Sequence, residues 1–285
     1  MILTSPKIIK ELLARHGFTL SKSLGQNFLI NPTVCPRMAA GCEGKGVIEI
    51  GAGAGVLTRE LAKVAAKVVV VEIDRGLKPV LDETLADCPN VEIVWGDILK
   101  IDLAALIREK FHISPKHEIN VCANLPYYIT SPVIMRLLEE RLPISAITVM
   151  VQKEAATRLC ALPGTRDCGA VSVAVRYYST PERLFEVSRN SFLPAPKVDS
   201  AVLRLTVHTE TKHENLDEQL FFRIVKAAFS QRRKQLANPV SAALHLEKGA
   251  VKAALAACGL SPEARAEEVG LGGFVGVCRE LKQLK

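Results

Sequence analysis

The feature that most constrains the fold is a regular alternation of short apolar runs, rich in β-branched residues, with longer helical patterns. The runs predict strands at 46–50, 67–72, 91–95, 119–123 and 146–151, and the stretches between them predict helices such as 56–66 and 76–86. Continuously apolar strands are typical of a parallel sheet that is buried on both faces. We therefore predict an α/β fold with a Rossmann-like sheet.

Two further β-rich runs, at 170–178 and 198–207, complete a predicted sheet of seven strands, mostly parallel, with an antiparallel last pair. A helix is predicted at 6–16, and the polar segment 21–29 is predicted to be a loop. Residues 208–216 are polar, and helical patterns follow from Asp217. We predict a large α/β domain over 1–207 and a small helical domain over 208–285.

Charge and cysteine usage narrow the class of protein. The net charge of +7 fits an anionic partner and a mildly basic enzyme equally well. The eight cysteines form no C-x-x-C pair, so we expect no metal. Free thiols suit a reducing cytoplasm.

We find neither a signal peptide nor an apolar run of the roughly 18 residues that a membrane span needs. We expect a cytoplasmic protein without a membrane partner.

A glycine-rich turn after the first predicted strand indicates a cofactor site. Gly51 and Gly53 belong to a G-x-G-x-G pattern, Glu72 ends the second strand, and Asp97 follows the third. Glycines let the backbone approach a ligand, and an acidic residue after the second strand can accept hydrogen bonds from ribose hydroxyls. An NAD site needs a third glycine where this chain has Val56. The set resembles class I S-adenosylmethionine methyltransferases, although a structural turn with structural carboxylates would show the same residues.

The segment Asn124, Leu125, Pro126 and Tyr127 follows the fourth predicted strand and indicates a site for an adenine base. An exocyclic amine is a poor nucleophile, because its lone pair is delocalised into the ring. The side-chain oxygen of Asn124 and a backbone carbonyl of Leu125 or Pro126 can hold its two hydrogens. Tyr127 offers a face for stacking an extruded base. The alternative is a purely structural Asn-Pro turn.

These segments together resemble the KsgA/RsmA family of small-subunit ribosomal RNA adenine dimethyltransferases. The matching pieces, in order, are Ser23–Leu29, the glycine loop, Asn124–Tyr127, Phe192–Ser200 and Ala228–Lys234. The resemblance implies that Asn27 and Leu29 join Gly51, Gly53, Glu72, Asp97 and Asn124 around S-adenosylmethionine, and that Phe192 is the second aromatic wall of the base pocket. It also implies a monomer that dimethylates two adjacent adenines of 16S ribosomal RNA in the small subunit or its precursor. Tyr128, Cys168 and Gly272-Gly273 depart from residues common in the family.

A basic stretch in the predicted helical domain indicates an RNA-binding surface. Residues 219–246 contain no Asp or Glu. The predicted RNA-binding residues are Arg223, Lys226, Arg232, Arg233 and Lys234, with Arg37, Arg136, Arg141, Lys153 and Arg158 as a possible extension. A solvated basic helix without a partner would give the same pattern.

Three other functions compete with this interpretation. An Erm-type methylase of large-subunit RNA would share both pockets, but Pro194–Lys197 and Ser230–Lys234 fit the small-subunit family better. A nucleic-acid binder like mitochondrial transcription factors, with catalysis lost, is disfavoured by the intact Asn124, Pro126 and Tyr127. An NAD-dependent dehydrogenase is disfavoured by Val56.

Overall fold

The computed structural model describes residues 2–19, 25–111, 119–208, 213, 215–231 and 233–283. The strands of this described part are β1 (Phe28–Leu29), β2 (Gly46–Ile50), β3 (Lys67–Glu72), β4 (Val91–Trp95), β5 (Ile119–Asn124), β6 (Ile144–Gln152), β7 (Ser179–Val187), β8 (Phe192–Leu193) and β9 (Ser200–Val207). Its α-helices are α1 (Pro6–Arg15), α2 (Val34–Ala39), α3 (Val56–Val64), α4 (Lys78–Thr84), α5 (Leu103–Phe111), α6 (Thr130–Glu139), α7 (Lys153–Cys160), α8 (Ala170–Tyr178), α9 (Glu218–Phe229), α10 (Ala237–Leu244), α11 (Lys248–Ala257) and α12 (Leu271–Lys282).

Seven strands form one mixed sheet in the order β4-β3-β2-β5-β6-β9-β7. The neighbours β4-β3, β3-β2, β2-β5 and β5-β6 are parallel, and β9 pairs antiparallel with β6. The predicted seven-stranded, mostly parallel sheet is therefore confirmed. The strands β2, β3 and β4 keep the bounds expected from the sequence, because their β-branched runs end at polar or glycine residues.

The strand order reverses direction at β2. The chain runs from β2 outward through β3 to β4, then returns to place β5 on the other side of β2. Such a reversal opens a crevice beyond the carboxyl ends of the two strands, since their connections leave on opposite sides of the sheet. Gly51 follows β2 and Asn124 ends β5, so both predicted motifs lie at this crevice.

Side chains of the sheet are buried on both faces. Val68 and Val70 of β3 belong to a core cluster with residues of α1, α2, α3 and α4. The alternate residues Val69 and Val71 point to the opposite face and are equally buried. This double burial is the reason why the strand sequences are apolar throughout.

The predicted strand at 170–178 is wrong, because this segment forms helix α8. Six of its nine residues are buried, and a short, nearly continuous apolar run can be either a buried helix or a buried strand. The valines favoured a strand, but tertiary burial overrides that preference. In the structure, the Ser172 hydroxyl accepts a hydrogen bond from the Gly169 N–H at 3.0 Å, which caps the first turn.

The missing seventh strand is β7, which was not predicted. It contains Pro181 and charged residues such as Glu182 and Arg183, a composition that argues against a central strand. The strand lies at the edge of the sheet, where one side needs no backbone partner and proline is tolerated. The predicted loop at 21–29 is also partly wrong, because Phe28–Leu29 pairs antiparallel with Phe192–Leu193. Residues 21–24 of that loop lie outside the described residues.

Contacts divide the chain into two compact units. The first contains Met1–Ala156 and Glu182–Val207, and the second contains Thr157–Pro181 and His208–Lys285. In the second unit, α9 packs against α10 and α12, and Tyr177 stacks on Phe221 with ring centroids 5.0 Å apart. No helix in the described part of the chain is both long and apolar enough to cross a membrane.

Candidate functional site

A cavity of about 270 Å³ lies at the carboxyl ends of the central strands, within the first unit. Its lining includes every residue that the sequence assigned to the cofactor or the base: Asn27, Leu29, Gly51, Gly53, Glu72, Asp97, Asn124, Leu125, Pro126, Tyr127 and Phe192. These residues come from six separate stretches of the chain, and the crevice at the strand-order reversal brings them together.

The glycine loop after β2 forms one wall. Gly51 and Gly53 have φ values of +76° and +57°, in the left-handed region that side chains rarely adopt. A Cβ atom on Gly53 would lie 3.2 Å from the ring of Phe28, so a side chain there would also crowd its neighbour. The loop therefore keeps its backbone open to a ligand in a way that only glycine permits at these positions.

Glu72 ends β3 and is buried, with 4% of its surface exposed. Its carboxylate accepts a hydrogen bond from the Asp74 N–H at 2.9 Å. Burial raises the pKa of Glu72, and hydrogen bonds from the backbone of Asp74, Gly53 and Ala52 oppose that shift. Gln26 donates to the Asp74 carboxylate at 2.7 Å, so it supports the turn that follows Glu72. We did not predict Gln26 or Asp74 for the site.

Asp97 follows β4 in a tight turn. One carboxylate oxygen of Asp97 accepts a hydrogen bond from the Leu99 N–H at 2.9 Å. The other lies 3.7 Å from the Lys100 ammonium, whose side chain is 83% exposed. The second oxygen can therefore accept a hydrogen bond from a ligand, because an exposed lysine at this distance competes weakly.

The turn after β5 is anchored to the sheet. The Leu125 N–H donates to the Met150 carbonyl at 3.2 Å. The Pro126 carbonyl accepts hydrogen bonds from the Ile129 N–H at 3.2 Å and the Thr130 hydroxyl at 3.4 Å. Since the Pro126 carbonyl is engaged in this turn, the Leu125 carbonyl is the better backbone acceptor for a ligand.

Tyr127 is half-buried, and its hydroxyl shares a hydrogen bond with the Ser200 hydroxyl at 3.0 Å. Burial raises the pKa of Tyr127, so the phenol stays neutral at physiological pH. Ser200 is fully buried at the start of β9, so the partner of the tyrosine hydroxyl belongs to the central sheet. Ser200 ends the segment 192–200 that resembles the family, but this contact with Tyr127 was not predicted.

Phe192 and Leu29 face each other in the two-stranded sheet β1–β8 and are both buried. Asn27, just before β1, donates from its side-chain amide to the Gly25 carbonyl at 2.9 Å. The short sheet thus closes the cavity with two segments that are about 160 residues apart in the chain. This pairing explains how the motif at 192–200 reaches the same cavity as the one at 23–29.

Glu49, the fourth residue of β2, is a further lining residue that the sequence analysis did not assign to the site. It is fully buried, and neither carboxyl oxygen makes a hydrogen bond of normal geometry within the described part of the chain. Burial raises the pKa of Glu49 to about 8; the nearby Thr58 hydroxyl opposes the shift and the Glu72 carboxylate adds to it. An acidic residue inside the apolar run 46–50 was the signal available in the sequence.

The raised pKa of Glu49 predicts that the stability of the protein depends on pH in a specific way. The folded-state pKa of about 8 lies above the ordinary 4.5, so the folded protein binds a proton that the unfolded chain has released. The stability of the wild type should therefore fall, relative to Glu49→Gln, as pH rises through this window. Urea unfolding of both proteins at about pH 5 and about pH 8.5 measures the difference. Glu60→Gln, at a surface ion pair with Lys63, is the control. If the difference in unfolding free energy between the wild type and Glu49→Gln is the same at both pH values, Glu49 is ionised at both.

The predicted RNA-binding residues that the structure describes belong to the second unit. Lys226, Arg233 and Lys234 are exposed. Arg223 is also exposed, but its guanidinium donates to the Ala243 carbonyl and so links α9 to α10. Arg232 lies outside the described residues.

Members of the predicted extension are engaged within the protein to different degrees. Arg37 lies over the Phe185 ring, 3.5 Å from its centroid, and Lys153 pairs with Glu186 at 2.7 Å. Arg136 donates to two backbone carbonyls and to Glu140.

The chain is similar to known proteins over nearly its whole length. The chain is 46% identical over 269 residues to "Ribosomal RNA small subunit methyltransferase A" of Alkaliphilus oremlandii, covering 93% of each chain. It is 46% identical over 289 residues to the protein of the same name from Geobacillus thermodenitrificans, covering 99% of this chain and 98% of that one.

Two solved structures are similar. A dimethyladenosine transferase from Plasmodium falciparum has a TM-score of 0.73 at 26% identity, covering 90% of this chain and 98% of that one. The 23S rRNA methyltransferase ErmE has a TM-score of 0.69 at 27% identity, covering 90% and 100%. The model of the family described as "Ribosomal RNA adenine dimethylase" matches residues 17–282. The chain is therefore a methyltransferase that belongs to the ribosomal RNA adenine dimethylase family.

Proposed function

We propose that this enzyme uses S-adenosylmethionine to dimethylate the exocyclic amines of two adjacent adenines in 16S ribosomal RNA, acting as a monomer on the small subunit or its precursor. The observation that carries the proposal is that the Asn124–Tyr127 turn and the carboxylates of Glu72 and Asp97 line one cavity. The small-subunit assignment rests on the names of the relatives that share 46% identity with the chain.

The residues of the cavity fit this cofactor. In the proposed complex, Glu72 accepts hydrogen bonds from the ribose hydroxyls. The Asp97 oxygen that does not bond to the Leu99 N–H accepts one from the adenine amine. The open backbone at Gly51 and Gly53 admits the amino-acid portion. The buried Glu49 carboxyl, which makes no hydrogen bond of normal geometry in the described part of the protein, is a polar group that a positively charged group of the cofactor would satisfy.

The turn after β5 fits the target base. In the proposed complex, the base stacks between Tyr127 and Phe192, and its amine donates one hydrogen bond to the Asn124 side-chain oxygen and one to the Leu125 carbonyl. Holding the hydrogens, both in the first transfer and the one that remains in the second, makes the nitrogen pyramidal. Its lone pair is then localised on the nitrogen and directed at the methyl group. The Tyr127 hydroxyl lies 3.0 Å from that of Ser200, which adds one hydrogen bond to the support of the ring.

Positioning supplies most of the catalysis in this scheme. The cofactor, when bound, supplies a methyl group on a sulfonium, which is a good leaving group. No strong general base is required, because the exocyclic nitrogen becomes strongly acidic once it is methylated and releases its proton to water. The chain's own contribution is to hold the amine in line with the methyl group and to direct its lone pair. The neutral phenol of Tyr127 suits a stacking role and not that of a base.

Methyl transfer from labelled cofactor to purified small subunits, large subunits and naked RNA tests the proposal. We expect label in small subunits lacking the modification, with dimethyladenosine as the product after digestion to nucleosides. Label in large subunits alone would favour the activity named for ErmE, and single methylation would contradict the dimethylation.

The second unit is proposed to bind the RNA backbone. Replacing Lys226, Arg233 and Lys234 with alanine should weaken RNA binding and reduce the slope of log K against log salt by about 0.7–0.9 for each lost phosphate contact. Titrations at several salt concentrations measure this slope. Lys252→Ala is the matched control, because Lys252 pairs with Glu263 at 2.8 Å. An unchanged slope in the triple variant would make the basic stretch a solvated surface.

A further inference from the structure

Arg136 makes contacts that its assignment to an RNA surface does not explain. It lies on α6, the helix that begins just after the Asn124–Tyr127 turn. Its guanidinium donates to the Ile98 carbonyl at 2.5 Å and to the Ile101 carbonyl at 2.6 Å. Its Nε atom donates to Glu140 at 2.5 Å, and only 21% of the side chain is exposed.

The two carbonyls belong to the turn that carries Asp97. The Asp97 backbone carbonyl accepts hydrogen bonds from the Lys100 N–H at 2.8 Å and the Ile101 N–H at 3.0 Å, and its side chain accepts from Leu99. These bonds shape the turn from within. Arg136 holds the turn from another element, at two points that lie on either side of Leu99.

The geometry matches the chemistry of arginine. A guanidinium presents planar N–H groups in a fixed fork, and its bonds to carbonyl oxygens are stronger than those of a neutral donor. Three of its nitrogens are already used by protein acceptors. A phosphate contact would have to compete with these bonds, and lysine could not make both carbonyl contacts with the same geometry.

We propose that Arg136 is a positioning residue for cofactor recognition: by clamping the Ile98 and Ile101 carbonyls, it holds Asp97 where the carboxylate meets the adenine amine of the cofactor. Helix α6 also follows the base-binding turn Asn124–Tyr127. The two carbonyl contacts of Arg136, which we call the clamp, therefore link this helix to the loop that recognises the cofactor. This inference rests on the proposed cofactor.

Binding of S-adenosylhomocysteine, measured by calorimetry, tests the clamp. We expect Arg136→Ala to weaken binding about tenfold, the scale of a charge-assisted hydrogen bond. Binding of S-inosylhomocysteine, whose purine carries an oxygen in place of the amine, should change much less. In a double-mutant cycle, adding Arg136→Ala to Asp97→Ala should cost little further affinity, because the positioned group is already gone. Arg136→Lys should restore binding only in part.

Glu140→Ala is the matched control, since it removes a partner of Arg136 but neither carbonyl contact. It should bind S-adenosylhomocysteine nearly as the wild type does. Equal loss of affinity for both analogues, or additive losses in the cycle, would reduce Arg136 to a general structural role. If Arg136→Ala keeps its affinity for S-adenosylhomocysteine but reduces the slope of log K against log salt for RNA binding, Arg136 is a phosphate contact. If the wild type bound neither analogue, the proposed cofactor itself would be wrong.

Discussion

Replacing Asn124 with alanine is expected to slow single-turnover methyl transfer by about 10²–10³-fold, as the loss of one positioned polar group does at other reacting centres. The substitution removes the side-chain acceptor for the target amine at the end of β5 and keeps both stacking faces, Tyr127 and Phe192. RNA affinity should fall much less, because phosphate contacts dominate it. Rapid-quench assays on small subunits, with RNA binding measured in parallel, give both quantities.

Two variants serve as controls for this result. Asn120→Ala makes the same change on the same strand, but Asn120 bonds to the Gly41 carbonyl and Ser145, away from the cavity, so it should affect stability and leave transfer largely intact. Tyr127→Phe keeps the ring face and loses only the bond to Ser200, so most activity should remain. A near-normal rate for Asn124→Ala would contradict the proposed mechanism, and an inactive Tyr127→Phe would show that the hydroxyl is needed.

Glu72→Ala is expected to weaken S-adenosylhomocysteine binding by about 1–3 kcal/mol, the cost of losing hydrogen bonds to a charged group. Calorimetry measures the change directly. Glu72 also accepts the Asp74 N–H, so part of the effect comes through the turn that follows β3. Glu72→Gln, which keeps the side-chain length and one oxygen, should lose less affinity.

An analogue without the ribose 2′-hydroxyl separates the two contributions. If Glu72 binds the ribose, Glu72→Ala should lose less affinity for this analogue than for the parent compound. If the loss is the same for both, the carboxylate acts only on the turn. Unchanged affinity for the parent compound would remove Glu72 from the site altogether.

The cavity depends on long-range pairings that join motifs which are remote in the chain. The segment 192–200 supplies Phe192 to the wall of the cavity and Ser200 to the hydroxyl of Tyr127. Its first residues pair with Phe28 and Leu29. A change in this segment should therefore alter both ligand sites, even though only Phe192 lines the cavity.

Much of the candidate site was predictable because its residues lie at fixed places in a parallel sheet. A glycine turn after β2, acidic residues after β3 and β4, and Asn124 at the end of β5 must meet at one edge of the sheet if the strands are parallel neighbours. Supporting residues were not predictable in this way. Gln26, Ser200 and Arg136 act through partners that are distant in sequence, and no local sequence pattern indicates which residues those partners are.

The sequence by itself determined the α/β class, the parallel core strands and the principal residues of the cavity, because burial on both faces and turn chemistry leave local patterns. Tertiary structure alone decided that 170–178 is a helix and that the charged, proline-containing segment 179–187 completes the sheet. It likewise decided that Phe28–Leu29 pairs with Phe192–Leu193, and that Arg136 holds the Asp97 turn. The physical reason is the same in each case: the deciding contact comes from a distant element, so burial and pairing override the local preference of the chain.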